Sequence, residues 1–422
     1  MQNGNLSSRR LLSLGLAFSL AMAPATVALA HEGIEFHNGQ WFDGEGFSSG
    51  TRYVVDGVIT QARPAQVTRR EDLEGRWVVP AFAEAHNHNL QNEWGARHSR
   101  EMYLRDGVFY AAMMCGDSDS NQAVRDALSG QDAPHVVFSA CISSSDGHPL
   151  RMALRSYREM DPEIGADAIH DRSYVVMDSP ADVEAKWQLV QAARPDLVKA
   201  ILVHSEDASR RGDPEFYGVN GLTPDVLPVL VQRAHADGLR VAAHTESAAD
   251  FAVAVAAGVD IVAHLPGYNF WPGKDASDYR IDDATIAAAA ERGVVVIPTA
   301  SIAEASAKDR ERLAAIQAMQ LDNLSRLKAA GVPMAMGSDR FTATSIVEYD
   351  YLLGTGLFSR GELLRMLSVD TPRLLLPDAA VGCVDEGCVA SFVVLDADPL
   401  VVDDAIHNVV TRVISGRIIE IE

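Results

Sequence analysis

The sequence predicts an α/β protein in which a (β/α)8 TIM-like barrel is joined to a small β-sandwich domain formed by both chain termini. Three observations predict this fold class. The middle of the chain repeats a unit in which a helical run ends at a glycine and a short apolar strand follows at once. Both ends of the chain instead contain short strands separated by turns. No glycine-rich phosphate turn, which is typical of an open doubly wound sheet, follows the first strand of the middle.

The repeated unit predicts parallel strands with helical crossovers. Gly238, Gly258, Gly293 and Gly331 each end a helical run and precede an apolar strand. Glycine readily takes the left-handed conformation after the last helical turn, and β-branched residues then favour a strand. Such units build a parallel sheet. With four earlier apolar runs they give eight barrel strands, predicted at residues 77–84, 108–115, 136–142, 197–203, 239–243, 259–263, 294–297 and 332–336.

Helix starts in the same region have their own signals. Ser179-Pro180 and Thr223-Pro224 each place a capping hydroxyl before a proline. Proline is favoured at the first helical position because its missing N–H has no partner there in any case. Both pairs therefore predict the first turn of a helix.

The first thirty residues have the features of a signal peptide. Arg9 and Arg10 precede an apolar run that is short for a membrane span, and Ala28-Leu29-Ala30 is a small-x-small cleavage signal. The sequence leaves the Sec and twin-arginine export routes open. We expect cleavage after Ala30 and a periplasmic or secreted protein. The expected domains are the signal peptide (1–30), the first part of the sandwich (31–78), the (β/α)8 barrel (79–375) and the second part of the sandwich (376–422).

Charge and cysteine content limit the partners and the compartment. The 422-residue chain has a formal net charge of −22, which repels nucleic acid and anionic lipid. We expect a small-molecule substrate, no nucleic acid and, after signal removal, no membrane; a homo-oligomer is left open. Cys383 and Cys388 flank a short turn that would allow a disulfide. Cys115 and Cys141 end neighbouring predicted strands, and we interpret them as buried thiols.

Five side chains at predicted strand ends point to a metal site. His86 and His88 alternate along the end of the first barrel strand, so both side chains face the same side. His244 and His264 end the fifth and sixth strands, and Asp339 ends the eighth. The carboxyl ends of barrel strands form one ring, so these residues converge there. Imidazole and carboxylate are the ligands of zinc-type sites.

Lys199 interrupts the fourth predicted strand, where the barrel interior or rim is expected. A buried ammonium is costly unless it is paired or modified. One interpretation is a lysine that extends to the rim or pairs with an acid. The other is a neutral amine that takes up carbon dioxide, because the resulting carbamate is an anionic ligand able to bridge two cations. The residues alone leave both open.

Several motifs together resemble the amidohydrolase superfamily across nearly the whole chain after residue 30. They are the run VPAFAEAHNH at residues 79–88, Lys199, Ala243-His244, Ala263-His264, Gly337-Ser338-Asp339 and the tail VVLDADPL at 393–400. The strand-four lysine makes the chain most similar to the imidazolonepropionase- and prolidase-like members. The resemblance implies a barrel beside a split sandwich, with a centre of two divalent ions that are usually zinc.

The resemblance also implies which residues hold those ions. His86, His88 and Asp339 would hold one ion, and His244 and His264 the other. Lys199, carrying CO2 as a lysine carbamate, would lie between them. The implied reaction is attack on a carbonyl carbon by a hydroxide that bridges the ions, with an amide or peptide-like C–N bond as the expected target. Asp339 would be the catalytic residue that passes a proton to the leaving amine.

Substrate contacts are predicted less directly. Asp146-Gly147-His148-Pro149 resembles the family's histidine loop after strand three, so His148 is a candidate for orienting a substrate carbonyl; an ordinary loop histidine is the alternative. Tyr268 follows His264, and with Trp94, Phe270 and Trp271 it would line an apolar pocket or pack the loops on the barrel. Arg151 or Arg340 would suit a substrate carboxylate.

Three rival functions remain at this stage. A lactonase or phosphotriesterase would use the same two ions. A mononuclear deaminase would use one ion with a glutamate such as Glu246, but it gives Lys199 no role. A non-catalytic binding protein on the same fold would be expected to lack some of the ligands, and all six are present in this sequence.

Overall fold

The computed structural model describes residues 32–116, 120–130, 132–159 and 161–421. The predicted signal peptide lies outside the described residues. These ranges form two sheets of eight strands each. Within them, no helix combines the length and the hydropathy needed to cross a membrane.

Strands and helices alternate through the middle of the chain. The strands are β1 (Glu32–Phe42), β2 (Phe47–Val55), β3 (Val58–Thr60), β4 (Gln66–Asp72), β5 (Trp77–Pro80), β6 (Phe82–Asn87), β7 (Val108–Met113), β8 (His135–Ser143), β9 (Val175–Val176), β10 (Leu197–Ile201), β11 (Arg240–His244), β12 (Ile261–Val262), β13 (Val295–Val296), β14 (Phe392–Leu395), β15 (Val409–Ile414) and β16 (Arg417–Ile419). The α-helices are α1 (Glu93–Arg105), α2 (Ser120–Ala127), α3 (Leu150–Tyr157), α4 (Pro180–Ala192), α5 (Val226–Ala236), α6 (Ala248–Ala257), α7 (Asp283–Arg292), α8 (Ile302–Ser306), α9 (Arg310–Ala329), α10 (Ile346–Gly354), α11 (Arg360–Arg365) and α12 (Thr371–Leu375).

One sheet contains strands from both ends of the chain. Its order is β16-β15-β14-β5-β1-β2-β3, and β4 pairs with β1. Phe392 packs edge-on against Phe36 and Trp41, with ring centroids 5.1 and 5.6 Å apart. This separate core confirms that the termini build one β unit beside the barrel.

The second sheet is parallel, follows the order β6-β7-β8-β10-β11-β12-β13, and carries β9 beside β8. The segment 332–339 closes it. Ala335 N–H donates to Val296 O of β13 (3.0 Å), and Ala85 N–H of β6 donates to Met336 O (2.8 Å). Eight parallel segments therefore form a ring, which confirms the predicted barrel.

Two local predictions need correction. The run 77–84 is not one barrel strand, because β5 pairs with β1 and β14 while β6 pairs with β7. Pro80 has no N–H to continue a ladder, and the chain changes sheets there. Helix α5 begins at Val226 with Asp225 as its N-cap, rather than at Thr223-Pro224. Ser179 caps α4 as predicted, and Gly258 and Gly293 adopt left-handed conformations at helix C-termini.

The four cysteines form two disulfides. Cys383 and Cys388 pair across their turn as predicted, with a Cα–Cα distance of 5.9 Å. The interpretation of Cys115 and Cys141 as buried thiols is wrong, because they form a second disulfide (Cα–Cα 5.1 Å). Neighbouring parallel strands bring these two residues side by side. Cys141 lies in β8, in register with Lys199 of β10.

Candidate metal centre

The barrel's closure places the predicted ligands around one end of the barrel. His86, His264 and Asp339 each offer a ligand atom, and these atoms all lie within 4.8 Å of one another. Asp339 is central to this group: its Oδ1 lies 3.9 Å from His86 Nε2 and its Oδ2 lies 3.9 Å from His264 Nε2. The chain thus brings together residues separated by some 250 positions.

The other three predicted ligands contact this group. His88 Nε2 lies 3.5 Å from Asp339 Oδ1, and Lys199 Nζ lies 3.5 Å from His86 Nε2. The ring centroid of His244 is 4.4 Å from that of His264. All six side chains therefore form one continuous cluster at the carboxyl ends of the barrel strands.

Burial changes the pKa values of these side chains in the direction that favours their neutral forms. Lys199 is 2% exposed, and burial lowers the pKa of its amine to about 7 against the opposing effect of Asp339. Burial raises the pKa of Asp339 to about 7, which the Lys199 charge opposes. Burial also lowers the pKa of His88 to about 4 and holds the pKa values of His86 and His264 well below the usual range. Neutral imidazoles present the lone pairs that metal ions require.

Partners outside the cluster orient two of the imidazoles. His88 Nδ1 lies 3.1 Å from the Gln91 side-chain oxygen, and His264 Nδ1 lies 2.7 Å from the Thr299 hydroxyl. When Nδ1–H donates to each partner, Nε2 is left with its lone pair. In both rings Nε2 is the nitrogen that faces Asp339. Such partners fix the tautomer and ring orientation of metal-binding histidines.

His244 has the opposite orientation. Its Nε2 lies 3.2 Å from Glu246 Oε1, which leaves Nδ1 for the cluster. The Tyr268 hydroxyl and the Trp271 indole N–H (2.9 Å) also donate to Glu246. Burial opposes ionisation of Glu246, but these hydrogen bonds and His244 outweigh it and lower its pKa. Glu246 is thus an ionised acceptor committed to three donors, which suits an orienting group rather than a proton-transferring one.

Glu84 ties the first barrel strand to the last and was missed from the sequence. Its Oε1 accepts from the backbone N–H groups of His86 (3.0 Å) and Ser338 (2.8 Å). Its Oε2 accepts from the Ser338 hydroxyl (2.6 Å) and the Asn87 amide (3.3 Å). Burial raises the pKa of this carboxyl to about 8, although the hydrogen bonds oppose that rise. The available signal was an acidic residue inside an otherwise apolar strand, two positions before His86.

Asp339 adopts a conformation that its neighbours must hold in place. Its φ is +49°, in the left-handed region, which residues other than glycine adopt uncommonly although asparagine and aspartate are enriched there. Its backbone N–H donates to His86 O (2.7 Å), which fixes the turn against β6. The same strand end therefore sets the positions of both His86 and the carboxylate opposite it.

The structure places both predicted substrate-binding residues beside the cluster. His148 stacks on His244 with ring centroids 5.2 Å apart, and its backbone N–H donates to Asn220 O (2.6 Å). Burial lowers the pKa of His148 to about 3. The Tyr268 ring lies 4.8 Å from His264. Contact of either residue with a substrate stays a prediction.

The two arginines considered for a carboxylate contact differ. Arg151 donates to the backbone carbonyls of Glu215 and Tyr217 (3.1 Å from Nε to Tyr217 O), so its guanidinium is used to hold a loop. Arg340 follows Asp339 directly and uses Nη1 for Ser301 O (3.0 Å). Of the two, Arg340 is the one beside the cluster.

The donor set fits divalent metal ions. Neutral imidazoles, one carboxylate and one buried amine of low pKa are clustered with oriented lone pairs. Zinc and similar ions prefer this mixture of nitrogen and oxygen ligands. The site is therefore a candidate metal centre on a barrel.

Comparisons of the sequence and of the structure with known proteins point to one family and one fold. The sequence profile of the amidohydrolase family matches residues 77–419. An imidazolonepropionase of Rhizorhabdus wittichii is 23% identical over 393 residues, which cover 84% of this chain and 88% of that protein. A Xaa-Pro dipeptidase solved with bound methionine superposes with a TM-score of 0.71 at 17% identity, covering 92% of this chain and all of that one. The A. niger ochratoxinase structure gives 0.69 at 17% identity, covering 92% and 95%. These two structures share the fold of this chain.

Proposed function

This chain belongs to the amidohydrolase family and is a hydrolase acting on C–N bonds, and from that premise we propose that it is an exported two-metal enzyme cleaving amide or peptide-like bonds of small molecules. The observation that carries the proposal is the contact of six candidate ligands around Asp339. No other cluster of three or more metal-ligating residues occurs among the described residues.

The six side chains divide between two ions in this proposal. His86, His88 and Asp339 would hold one ion, and His244 and His264 the other. When bound, two divalent ions polarise a carbonyl group and supply hydroxide at neutral pH. Zinc is the proposed metal, because imidazoles are the most numerous ligands.

Lys199, modified to a carbamate, would be the ligand shared by the two ions. Its amine lies 3.5 Å from His86 Nε2, within reach of the cluster once a carboxylate is added. Burial lowers the pKa of the amine to about 7, so the neutral form that reacts with carbon dioxide is available near neutral pH. The reaction joins the amine nitrogen to the carbon of CO2 and releases one proton, which leaves an anionic group in place of a buried ammonium.

Asp339 would carry the proton during hydrolysis. Its carboxylate is shared between His86, His88 and His264, so it stands at the middle of the cluster. Burial raises its pKa toward neutrality, where a group both accepts and releases a proton efficiently. Asp339 would take a proton from the attacking water and return it to the leaving amine.

His148 would orient the substrate carbonyl. It stacks on His244, its loop is anchored to Asn220, and burial keeps its ring neutral because its pKa falls to about 3. A neutral imidazole donates a hydrogen bond without bringing a second charge to the site. Imidazolonepropionase and Xaa-Pro dipeptidase, the names of two similar proteins, make cyclic amides and Xaa-Pro dipeptides the first substrates to test.

The deaminase alternative is less well supported. It needs a glutamate that exchanges protons with the substrate, whereas Glu246 accepts hydrogen bonds from His244, Tyr268 and Trp271. It also leaves the buried Lys199 without a function. A two-metal hydrolase uses both residues.

Export is part of the proposal and rests mainly on the leader sequence. The two disulfides, Cys115–Cys141 and Cys383–Cys388, support it because disulfides persist in oxidising compartments. N-terminal sequencing of protein recovered from outside the cytoplasm should begin at His31. An intact Met1 on the active, exported protein would contradict this processing.

The proposed function is tested by metal removal with a substrate panel. Purified protein would be assayed on Xaa-Pro dipeptides, N-acyl amino acids, cyclic amides, lactones and a phosphotriester, before and after chelation. We expect cleavage of at least one amide substrate, loss of that activity on chelation, and recovery with zinc. Amide cleavage that is unchanged after removal of the metal would contradict the proposal, and cleavage of only lactones or phosphotriesters would assign the centre to the rival chemistry.

A further inference from the structure

Exposed aromatic side chains are concentrated at the carboxyl face of the barrel. Ten large hydrophobic residues are exposed among those the structure describes, and three of them are aromatic. These are Trp94 (70% exposed), Tyr217 (47%) and Phe341 (52%). They follow β6, β10 and the closing segment 332–339 respectively, so all three belong to the face that carries the candidate ligands. Single exposed apolar residues are common on protein surfaces, so the residue of interest is the one that contacts the candidate ligands.

Phe341 lies directly beside the metal centre. Its ring stacks on His88 with a centroid distance of 5.8 Å and an interplanar angle of 19°. Phe341 follows Asp339 by two positions, so this ring and a candidate ligand lie on the same short segment. About half of the residue is exposed, although its ring stacks on a candidate ligand.

The backbone around Phe341 is held in place. The Asn87 amide donates to the carbonyls of Arg340 (3.1 Å) and Ala343 (3.2 Å). The Asn89 amide also donates to Ala343 O (3.1 Å). These bonds tie both sides of Phe341 to the end of β6, so the exposed ring is fixed in position before any ligand binds. A preorganised surface costs less entropy on binding than a mobile one.

Two of the aromatic residues predicted to line the pocket, Phe270 and Trp271, pack within the protein instead. Phe270 stacks face to face on Tyr279 at 4.7 Å, and the Trp271 indole donates to Glu246. These rings pack a loop against the barrel. The exposed apolar surface next to the candidate ligands is therefore provided by Phe341 and not by Phe270 or Trp271.

We propose that Phe341 is a specificity-determining residue that selects substrates with an aromatic or branched apolar group next to the scissile bond. This inference rests on the proposed function, because it concerns the substrate of the same site. The apolar surface borders the metal centre itself, so the group that covers it is the one attached to the bond being cleaved. Trp94, in the first turn of α1, and Tyr217, in the segment after β10, are the other exposed aromatic residues at this end of the barrel.

The test uses substrate pairs that differ only by a phenyl or a methyl group beside the scissile bond, such as N-acyl-phenylalanine and N-acyl-alanine. The wild-type enzyme should favour the phenyl member in kcat/KM. Phe341→Ser should reduce that preference about tenfold, since one covered face of a phenyl ring is worth about 1.4 kcal/mol. Phe341→Leu should reduce it less, because it keeps an apolar surface. Val401→Ser, which removes an exposed apolar residue (69%) from the loop between β14 and β15, is the matched control and should leave the preference unchanged.

A binding measurement separates this inference from the proposed function. Calorimetry would compare N-acetylphenylalanine with N-acetylalanine as ligands of the wild type and of Phe341→Ser. If no substrate is cleaved but the phenyl ligand binds more tightly and loses that advantage in Phe341→Ser, the pocket stands and the hydrolase proposal fails. If amides are cleaved and the phenyl preference is absent, or survives in Phe341→Ser in both assays, the role of Phe341 is overturned.

Discussion

The two sides of the metal centre are held by different kinds of contact. On one side the contacts are mainly to backbone: the N–H groups of His86 and Ser338 donate to Glu84, and the Asp339 N–H donates to His86 O, although the Gln91 side chain orients His88. On the other side, His244 and His264 are oriented through side chains, by Glu246 and Thr299. We call these the closure side and the loop side.

The contacts that position the ligands also contribute to the closure of the barrel on one side of the centre only. The closure side lies where β6 meets the segment 332–339, so the contacts that place its ligands also close the barrel. The loop side uses partners beyond the strand ends, such as Tyr268 and Trp271 on the loop after β12. A defect on the closure side should therefore affect stability and metal binding together, whereas a defect on the loop side should affect mainly metal binding.

Asp339→Asn should have the largest effect, because this carboxylate faces His86 and His88 on the closure side and also His264 on the loop side. The amide keeps the size of the carboxylate but loses its charge and its capacity to accept a proton. We expect kcat to fall by about 10³–10⁴-fold, in the range seen when a proton-transferring group is removed. Steady-state kinetics on the best amide substrate would measure this, and circular dichroism would check that the fold is kept. A fall of less than tenfold would show that Asp339 does not carry the proton.

Glu84→Gln should lower both the stability of the fold and the metal affinity, because Glu84 lies on the closure side. The substitution replaces one acceptor oxygen with an N–H₂ group. In place of Oε1 this group faces the backbone N–H groups of His86 and Ser338, and in place of Oε2 it faces the Asn87 amide, so a donor loses its acceptor in either orientation. We expect the free energy of unfolding to fall by about 2–3 kcal/mol and metal affinity to fall about 10–100-fold. Urea denaturation and competition with a chromophoric chelator would measure the two quantities. Unchanged stability with weakened metal binding would contradict the coupling of closure to ligand placement.

Glu246→Gln should have the smaller, selective effect expected of the loop side. Its donors are side-chain groups of His244, Tyr268 and Trp271, which reorient more easily than strand backbone. We expect about tenfold weaker metal binding and a loss of unfolding free energy of about 1 kcal/mol or less. Thr299→Val, which removes the partner of His264, is the matched variant on the same side. Destabilisation by either variant equal to that of Glu84→Gln would remove the distinction between the two sides.

The sequence predicted strand positions best where a residue type has a single structural role, as glycine has at the end of a helix. Glycines after helical runs marked the starts of strands, and counting from them placed His244 and His264 at the carboxyl face. Asp339 ends the eighth predicted strand, and the structure brings it to His86 as the barrel closes. The barrel and the terminal sheet were therefore predictable from local patterns, except for the run 77–84, which is divided between them.

The supporting residues were not predictable, because their contacts depend on which distant strands become neighbours. Glu84 and Ser338 meet only after eight strands close into a ring. Thr299 reaches His264 across adjacent strands, and Cys115 reaches Cys141 in the same way. The change of sheet at Ala81 also depends on the terminal sheet, because Ala81 N–H donates to Ser391 O there (3.1 Å).

The central claim is that six side chains hold two ions with Lys199 between them, and elemental analysis of the purified protein tests it most directly. The wild type, prepared without chelator, should contain about two divalent ions per chain. Lys199→Ala should retain about one or fewer, because the closure and loop sides would no longer share a bridging ligand. A wild type that binds no metal when zinc is supplied, or a Lys199→Ala variant that keeps the full wild-type content, would contradict the account.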